Sequence, residues 1–135
     1  MADAFLDTNI ILRHLLADHD DQSPRATQFL RRIESGDVRV VSSHIVFFEA
    51  VFTLQRTYRQ PKAAISEALL ALIDLPGIRM NGKPLLREAM RIFVDANVSF
   101  ADAYHAALMN DQGVSEVISF DKDFDRIAGI RRTEP

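Results

Sequence analysis

No cysteine occurs among the 135 residues, so disulfides, thiolate-bound zinc and cysteine nucleophiles are excluded, as suits a reducing cytoplasm. Histidine is scarce too, with four copies and no cluster of them, and chemistry must therefore rest mainly on oxygens. No apolar run approaches the roughly 20 residues a membrane helix needs, and Met1-Ala2-Asp3 carries no basic leader. A soluble, unprocessed chain away from membranes is expected. Positive charge is not in excess: the formal net charge is −3, which argues against a broad basic footprint and leaves room only for a local basic patch. A glycine-rich phosphate loop and a Gly-x-Ser-x-Gly elbow are both missing. Neither repeat nor low-complexity linker interrupts the chain, and a single domain spanning residues 1–135 is expected.

What is present reads as alternating strands and helices. Phe5 and Leu6 are expected to form a short buried strand and Ile10 to Leu16 a first helix. Ser23 followed by Pro24 predicts a cap and first helical residue, opening a helix to Glu34 that buries Ala26, Phe29, Leu30 and Ile33 and turns Arg25, Arg31 and Arg32 outward. Val38, Val40 and Val41 supply a β-branched strand, and Ser42 and Ser43 can cap a helix from His44 to about Tyr58. Lys62 to Asp74 is a further helix, Ile78 and Met80 a short strand, and Pro84 to about Ala96 another helix. Ser99 and Asp102 have the form of a capping box at the head of an Ala-rich helix that Gly113 stops. Glu116 to Ser119 would be the last, buried strand. Such alternation predicts an α/β fold with a mainly parallel sheet.

Acidic residues recur at informative places in that pattern. Asp7 falls where the first strand hands over to a helix and Asp121 just past the last strand, while Glu49 and Asp102 lie in helices that follow serines. Each has an ordinary explanation. Asp7 or Asn9 could cap a helix, Asp102 suits the helix dipole, and Asp123 and Asp125 suit a turn. Glu49 interrupts the apolar run Ile45 to Phe52, a helix expected to be buried between layers; there it would need Arg56, a solvent-facing stripe with Thr53 and Arg56, or a cation as partner. His105, three residues after Asp102, is read as no ligand because a lone Asp-x-x-His pair does not make a zinc site. A doubly wound sheet brings the carboxyl ends of its parallel strands to one edge, where these acids would converge. Clustered carboxylates with no sulfur and no histidine group select a hard ion, Mg²⁺ or Mn²⁺, which activates water and neutralises a leaving oxygen.

With these residues the sequence resembles the PIN-domain family, and within it the small VapC-like ribonuclease toxins. The resemblance rests on Phe5-Leu6-Asp7-Thr8-Asn9, on Glu49 in its apolar helix, on Ser99-Phe100-Ala101-Asp102-Ala103 and on Ser119-Phe120-Asp121-Lys122-Asp123-Phe124. It covers essentially the whole chain. It implies a three-layer α/β/α fold, Mg²⁺-dependent hydrolysis of RNA, and a cytoplasmic toxin held inactive by a cognate antitoxin. Catalytic and metal-binding roles pass by resemblance to Asp7, Glu49, Asp102 and Asp121, with Asn9 as a supporting hydrogen-bonder and Asp123 as a further acid of the last turn.

Two other classes place acids in similar positions. A metal-dependent phosphohydrolase or phosphoacceptor needs a paired-acid signature near the first strand, and Asp7-Thr8-Asn9 lacks the second acid. A degenerate, non-catalytic PIN module would not need all four carboxylates. Apolar helix faces at residues 26 to 33 and 64 to 73 further predict a homodimer with a groove for the antitoxin. Arg13, Arg56, Arg59, Lys62 and Lys122 are the cations expected to orient the RNA strand.

Overall fold

The strands of the computed structural model, which describes residues 4–135, are only two or three residues long. The chain divides into two compact units, Met1–Asn81 and Gly82–Pro135. In the first, β1 (Ala4–Phe5), β2 (Val40–Val41) and β3 (Ile78–Arg79) make a parallel sheet in the order β1-β2-β3. Phe5 pairs with Val41 and Val41 with Arg79. Parallel neighbours need crossovers; α1 (Thr8–Leu16) with α2 (Gln22–Glu34) supplies one, and α3 (His44–Arg56) with α4 (Lys62–Ile73) the other. The period of two puts Val40 and Ile78 in the core and leaves Phe5 and Val41 exposed. Phe5 is therefore not the buried residue expected; Leu6, which donates its N–H to the Val41 carbonyl, takes that place.

Helix α2 begins two residues earlier than expected. Ser23 is buried inside its first turn, where its Oγ accepts from the His19 N–H at 3.2 Å, and Pro24 is tolerated because first-turn amides have no helical acceptor. Ala26, Leu30 and Ile33 on α2, and Ile65, Leu69 and Ile73 on α4, are buried. Most of the two apolar faces expected to await a second molecule is thus ordinary core; Phe29, expected to be buried with them, is part-exposed. Gly77 is demanded by close approach: a Cβ there would meet Ile33 Cγ2 at 2.8 Å.

In the second unit α5 (Lys83–Asp95) packs on α6 (Phe100–Gln112), with Phe93 and Phe100 edge to face at 5.6 Å between ring centres. Ala103, Ala106 and Ala107 are buried along α6, and their small side chains permit a close helix approach. Ser99 caps α6 by accepting from the Asp102 N–H at 3.1 Å, and Gly113 ends it at φ +71°, as the sequence led us to expect. β4 (Glu116–Ile118) pairs in parallel with β5 (Arg131–Thr133), separated from it by the 3₁₀ turn Lys122–Arg126. Two expectations are corrected here. β4 is not buried, since Glu116 and Ile118 are exposed; nor is it the last strand, because β5, carried by Arg-Arg-Thr with no apolar alternation, is held by pairing and by the Arg131 and Thr133 contacts to Glu116.

Candidate metal centre

Local backbone chemistry in the Gly82–Pro135 unit gathers three acids. Asp102 occupies the third position of α6, half-buried, its amide taken by Ser99. Beyond β4, Ser119 Oγ accepts the Asp121 N–H at 2.9 Å, and Asp121 Oδ1 accepts the Asp123 N–H at 2.9 Å, so Asp121 caps the 3₁₀ turn. This chain of short bonds turns Asp121 and Asp123 toward α6. One oxygen from each of Asp102, Asp121 and Asp123 lies within 4.8 Å of the others.

Electrostatics register the crowding. The Asp102 carboxyl is pushed above the usual aspartate range, first by burial and then by the negative charge of Asp121, with Asp123 adding to it; Ser99 and His105 act in the opposite direction. A cation is the natural relief. The donor set suits a hard divalent ion, being all oxygen and trinegative when ionised. Two oxygens on one Mg²⁺ are at most about 4.2 Å apart, so a 4.8 Å span needs only a small turn of a side chain, and exposed Asp121 can provide it.

The neighbouring cations sort the acids of this turn. Arg132, only 12% exposed, donates from Nε to Asp125 Oδ1 at 3.1 Å, and from Nη1 to the Ser119 carbonyl at 3.1 Å and to Glu134 at 2.7 Å. Asp125 is committed to that guanidinium. Asp123 keeps only a loose pair with Arg126 at 3.9 Å and joins the acid group instead. The sequence offers a turn role for both residues and, by resemblance, a site role for Asp123; the Arg132 contact to Asp125 is what tells them apart.

Asp7 and Glu49 belong to the Met1–Asn81 unit. Asp7 stands at the N-cap of α1 in extended conformation, exposed, and its side chain makes no capping bond. Thr8 instead anchors the helix start, donating to the Val46 carbonyl at 3.3 Å, and Ser42 ties the strand end by donating to the Leu6 carbonyl at 3.2 Å. Asn9 is exposed beside a cleft between α1 and α2. Glu49 is exposed as well, which corrects the expectation of a helix buried on all sides: α3 buries Val46, Phe47, Ala50, Val51 and Leu54, while Ile45, Phe48 and Phe52 share the open side with Glu49. Arg56, considered as its ion-pair partner, lies over the Phe52 ring at 5.2 Å. Among the described residues the Glu49 carboxylate has no ion pair or hydrogen-bond partner.

Comparison with known proteins bears on what such a group of acids serves. The sequence model of one family, the PIN domain, matches residues 4–130 and so runs through both units. A VapC ribonuclease of Aquifex aeolicus (strain VF5) is 22% identical over 130 residues, covering 96% of this chain and 95% of that protein.

Proposed function

We propose, from the premise that this chain belongs to the PIN-domain family, that it is a Mg²⁺-dependent ribonuclease of a toxin–antitoxin pair, with Mn²⁺ able to replace Mg²⁺. The observation that carries this reading is the approach of Asp102, Asp121 and Asp123 oxygens to within 4.8 Å. A divalent ion bound there would lower the pKa of a bound water and neutralise charge on the departing oxygen. The work of the protein's own residues is then to hold the ion and orient it. Asp102 and Asp121 offer carboxylates from a helix start and a capped turn, positions fixed by Ser99 and Ser119. Asp123 adds a third oxygen while its amide steadies Asp121. Asp7, Glu49 and Asn9 enter on the family pattern alone: the two acids as further catalytic and metal-binding groups, the amide as a supporting hydrogen-bonder.

The name borne by the Aquifex relative supports RNA as substrate, and the resemblance drawn from the sequence adds a cytoplasmic site of action, one functional domain over residues 1–135 and neutralisation by a cognate antitoxin. No helix among the described residues is long and apolar enough to cross a membrane. A homodimer remains part of the reading, now on the exposed Ile45, Phe48 and Phe52 of α3 in place of the faces found buried. Light scattering at micromolar concentration tests it, with Phe52→Glu expected to give a monomer.

Activity is tested on purified protein with a panel of structured and unstructured RNAs in Mg²⁺, Mn²⁺ or EDTA, beside Asp7→Asn and Asp102→Asn. Cleavage in either metal, lost in EDTA and in both variants, is expected. Cleavage that persists in EDTA would sink the metal-dependent account. RNA bound but never cut would make the chain a non-catalytic binding module.

A further inference from the structure

The Met1–Asn81 unit contains a cleft of about 550 Å³ between α1 and α2 whose lining includes Arg13, Arg25 and Arg32 and no carboxylate. That is unusual in a chain whose net charge is −3. Phe29, part-exposed, and Ile10 give the cleft an apolar floor; Asn9 and Gln28 add amides. The cations differ in freedom. Arg13 donates from Nε to Gln22 Oε1 at 2.7 Å and lies 3.8 Å from Asp18, and Arg25 is 3.1 Å from Asp21. Both pairs are solvent-exposed and weak enough for a competing anion to displace. The Arg32 guanidinium has no ion pair or hydrogen bond among the described residues, only its backbone being engaged, although Arg32 lines the same cleft as the other two.

We propose that this cleft is a binding subsite for a single-stranded RNA segment, distinct in chemistry from the acid cluster that the other unit carries. The proposal rests on the ribonuclease reading for the identity of the polyanion. Guanidiniums suit phosphodiesters because their fork of donors matches phosphate oxygens. An aromatic face beside them offers a stacking surface for an unpaired base, and amides can meet base edges as donor and acceptor. A volume of about 550 Å³ falls within the usual range of ligand clefts, about 300 to 1,000 Å³, and suits a short segment rather than a duplex. An acidic protein segment would use the same guanidiniums but would leave the Phe29 face and the amides without a matching role, so the lining favours nucleic acid.

The test separates binding from cleavage. Fluorescence anisotropy with a labelled ten-residue oligouridylate in EDTA measures binding without turnover, and a labelled polyglutamate peptide serves as the competing probe. Wild type should bind the RNA with a slope of log affinity against log salt near −2, about −0.7 for each of three phosphate contacts on a single strand. Arg32→Gln should weaken binding about fivefold and make the slope shallower by about 0.7, Arg25→Gln/Arg32→Gln should weaken it further, and Phe29→Leu should weaken it with no change in slope. Arg39→Gln, an exposed arginine outside the cleft, should behave as wild type. Because the arginines tested are exposed, loss of fold is not expected, and circular dichroism checks it. Unchanged RNA affinity in the double variant, no RNA binding by wild type, or a defect confined to polyglutamate would each overturn the proposal. A protein that cleaves RNA in Mg²⁺ yet shows one of those results keeps the ribonuclease reading and loses the subsite. One that binds through the arginines and cleaves nothing keeps the subsite and loses the reading.

Discussion

In the Gly82–Pro135 unit one oxygen from each of three carboxylates lies within 4.8 Å of the others, whereas in the Met1–Asn81 unit three arginines line a cleft with no acid among its lining residues. The two arrangements are held differently. The acids are placed by short bonds that fix their backbone amides, from Ser99, Ser119 and Asp121, so that only small side-chain turns are left to adjust the group. The arginines are long, exposed and restrained mostly by weak pairs at the rim. A self-repelling group of acids on a fixed backbone suits a small ion with strict geometry; a loose set of cations suits the backbone of a flexible polymer. Function is therefore expected to fail sharply in one unit and gradually in the other.

The sharpest break of that contrast is Asp121→Asn. Cleavage should fall about 100-fold or more, equivalent to roughly 3 kcal/mol of transition-state stabilisation. Thermal stability should be unchanged or rise, because the amide oxygen can still accept the Asp123 N–H while its repulsion of Asp102 is gone. A loss of activity accompanied by equal unfolding would show that the acid is structural. Next in size is Arg132→Met, which frees Asp125 and the Ser119 carbonyl from their common guanidinium; Mn²⁺ affinity measured by calorimetry should drop about tenfold, the lower end for loss of a residue supporting metal ligands. Arg132→Lys should restore only part of it, since an ammonium lacks the fork.

Ser99→Ala should cost about 1 kcal/mol of stability in denaturant unfolding, as the α6 cap is lost. It should also raise the Asp102 carboxyl further, because the Ser99 contact lowers it. For Asp102 itself the folded-state pKa lies above the unfolded one. Its contribution to stability is thus present below the ordinary aspartate range and is lost as pH rises through the folded value. Metal affinity should move the opposite way, rising with pH across that window, with Ser99→Ala shifting the rise to higher pH. The smallest effect concerns His14, whose imidazole is held below its usual range by burial and then by Arg31, with Thr27 Oγ1 at 2.8 Å. A lowered histidine contributes stability above its unfolded pKa that is lost as pH falls through the folded one. His14→Gln should flatten this slope on the acid side of pH 6.5, and an unchanged slope would assign it to other groups.

The ends of α3 and α6 were legible before the structure, those of α1 and α2 less so. Ser43 and Ser99 accept from Val46 and Asp102 as cap residues should, and Gly113 stops α6. Parallel pairing followed from helices lying between strands. Features decided by long-range partners were not legible. Nothing in Arg131-Arg132-Thr133 signals a strand, because its pairing with β4 and its bonds to Glu116 come from 15 or more residues away. The composition of α3 suggests burial on every side, yet burial depends on what is packed against Ile45 and Phe52, and those positions are open. Asp123 and Asp125 are indistinguishable as turn residues until Arg132 claims one of them. Likewise Arg25 and Arg32 looked like a solvated helix face, and only the placement of α1 beside α2 makes them the wall of a cleft.

The position of Arg132 along the chain sets an order of assembly during synthesis. Ser119 and Asp125, the groups it fastens, precede it by only 13 and 7 residues, so the acid turn and its clamp emerge nearly together, well after the Met1–Asn81 unit. The Met1–Asn81 unit, complete long before, can fold first, since compact units generally fold as they appear. A nascent chain is thus able to present its arginines before its acids are fastened, and any hydrolytic competence that relies on the clamp is postponed until residue 132 is in place.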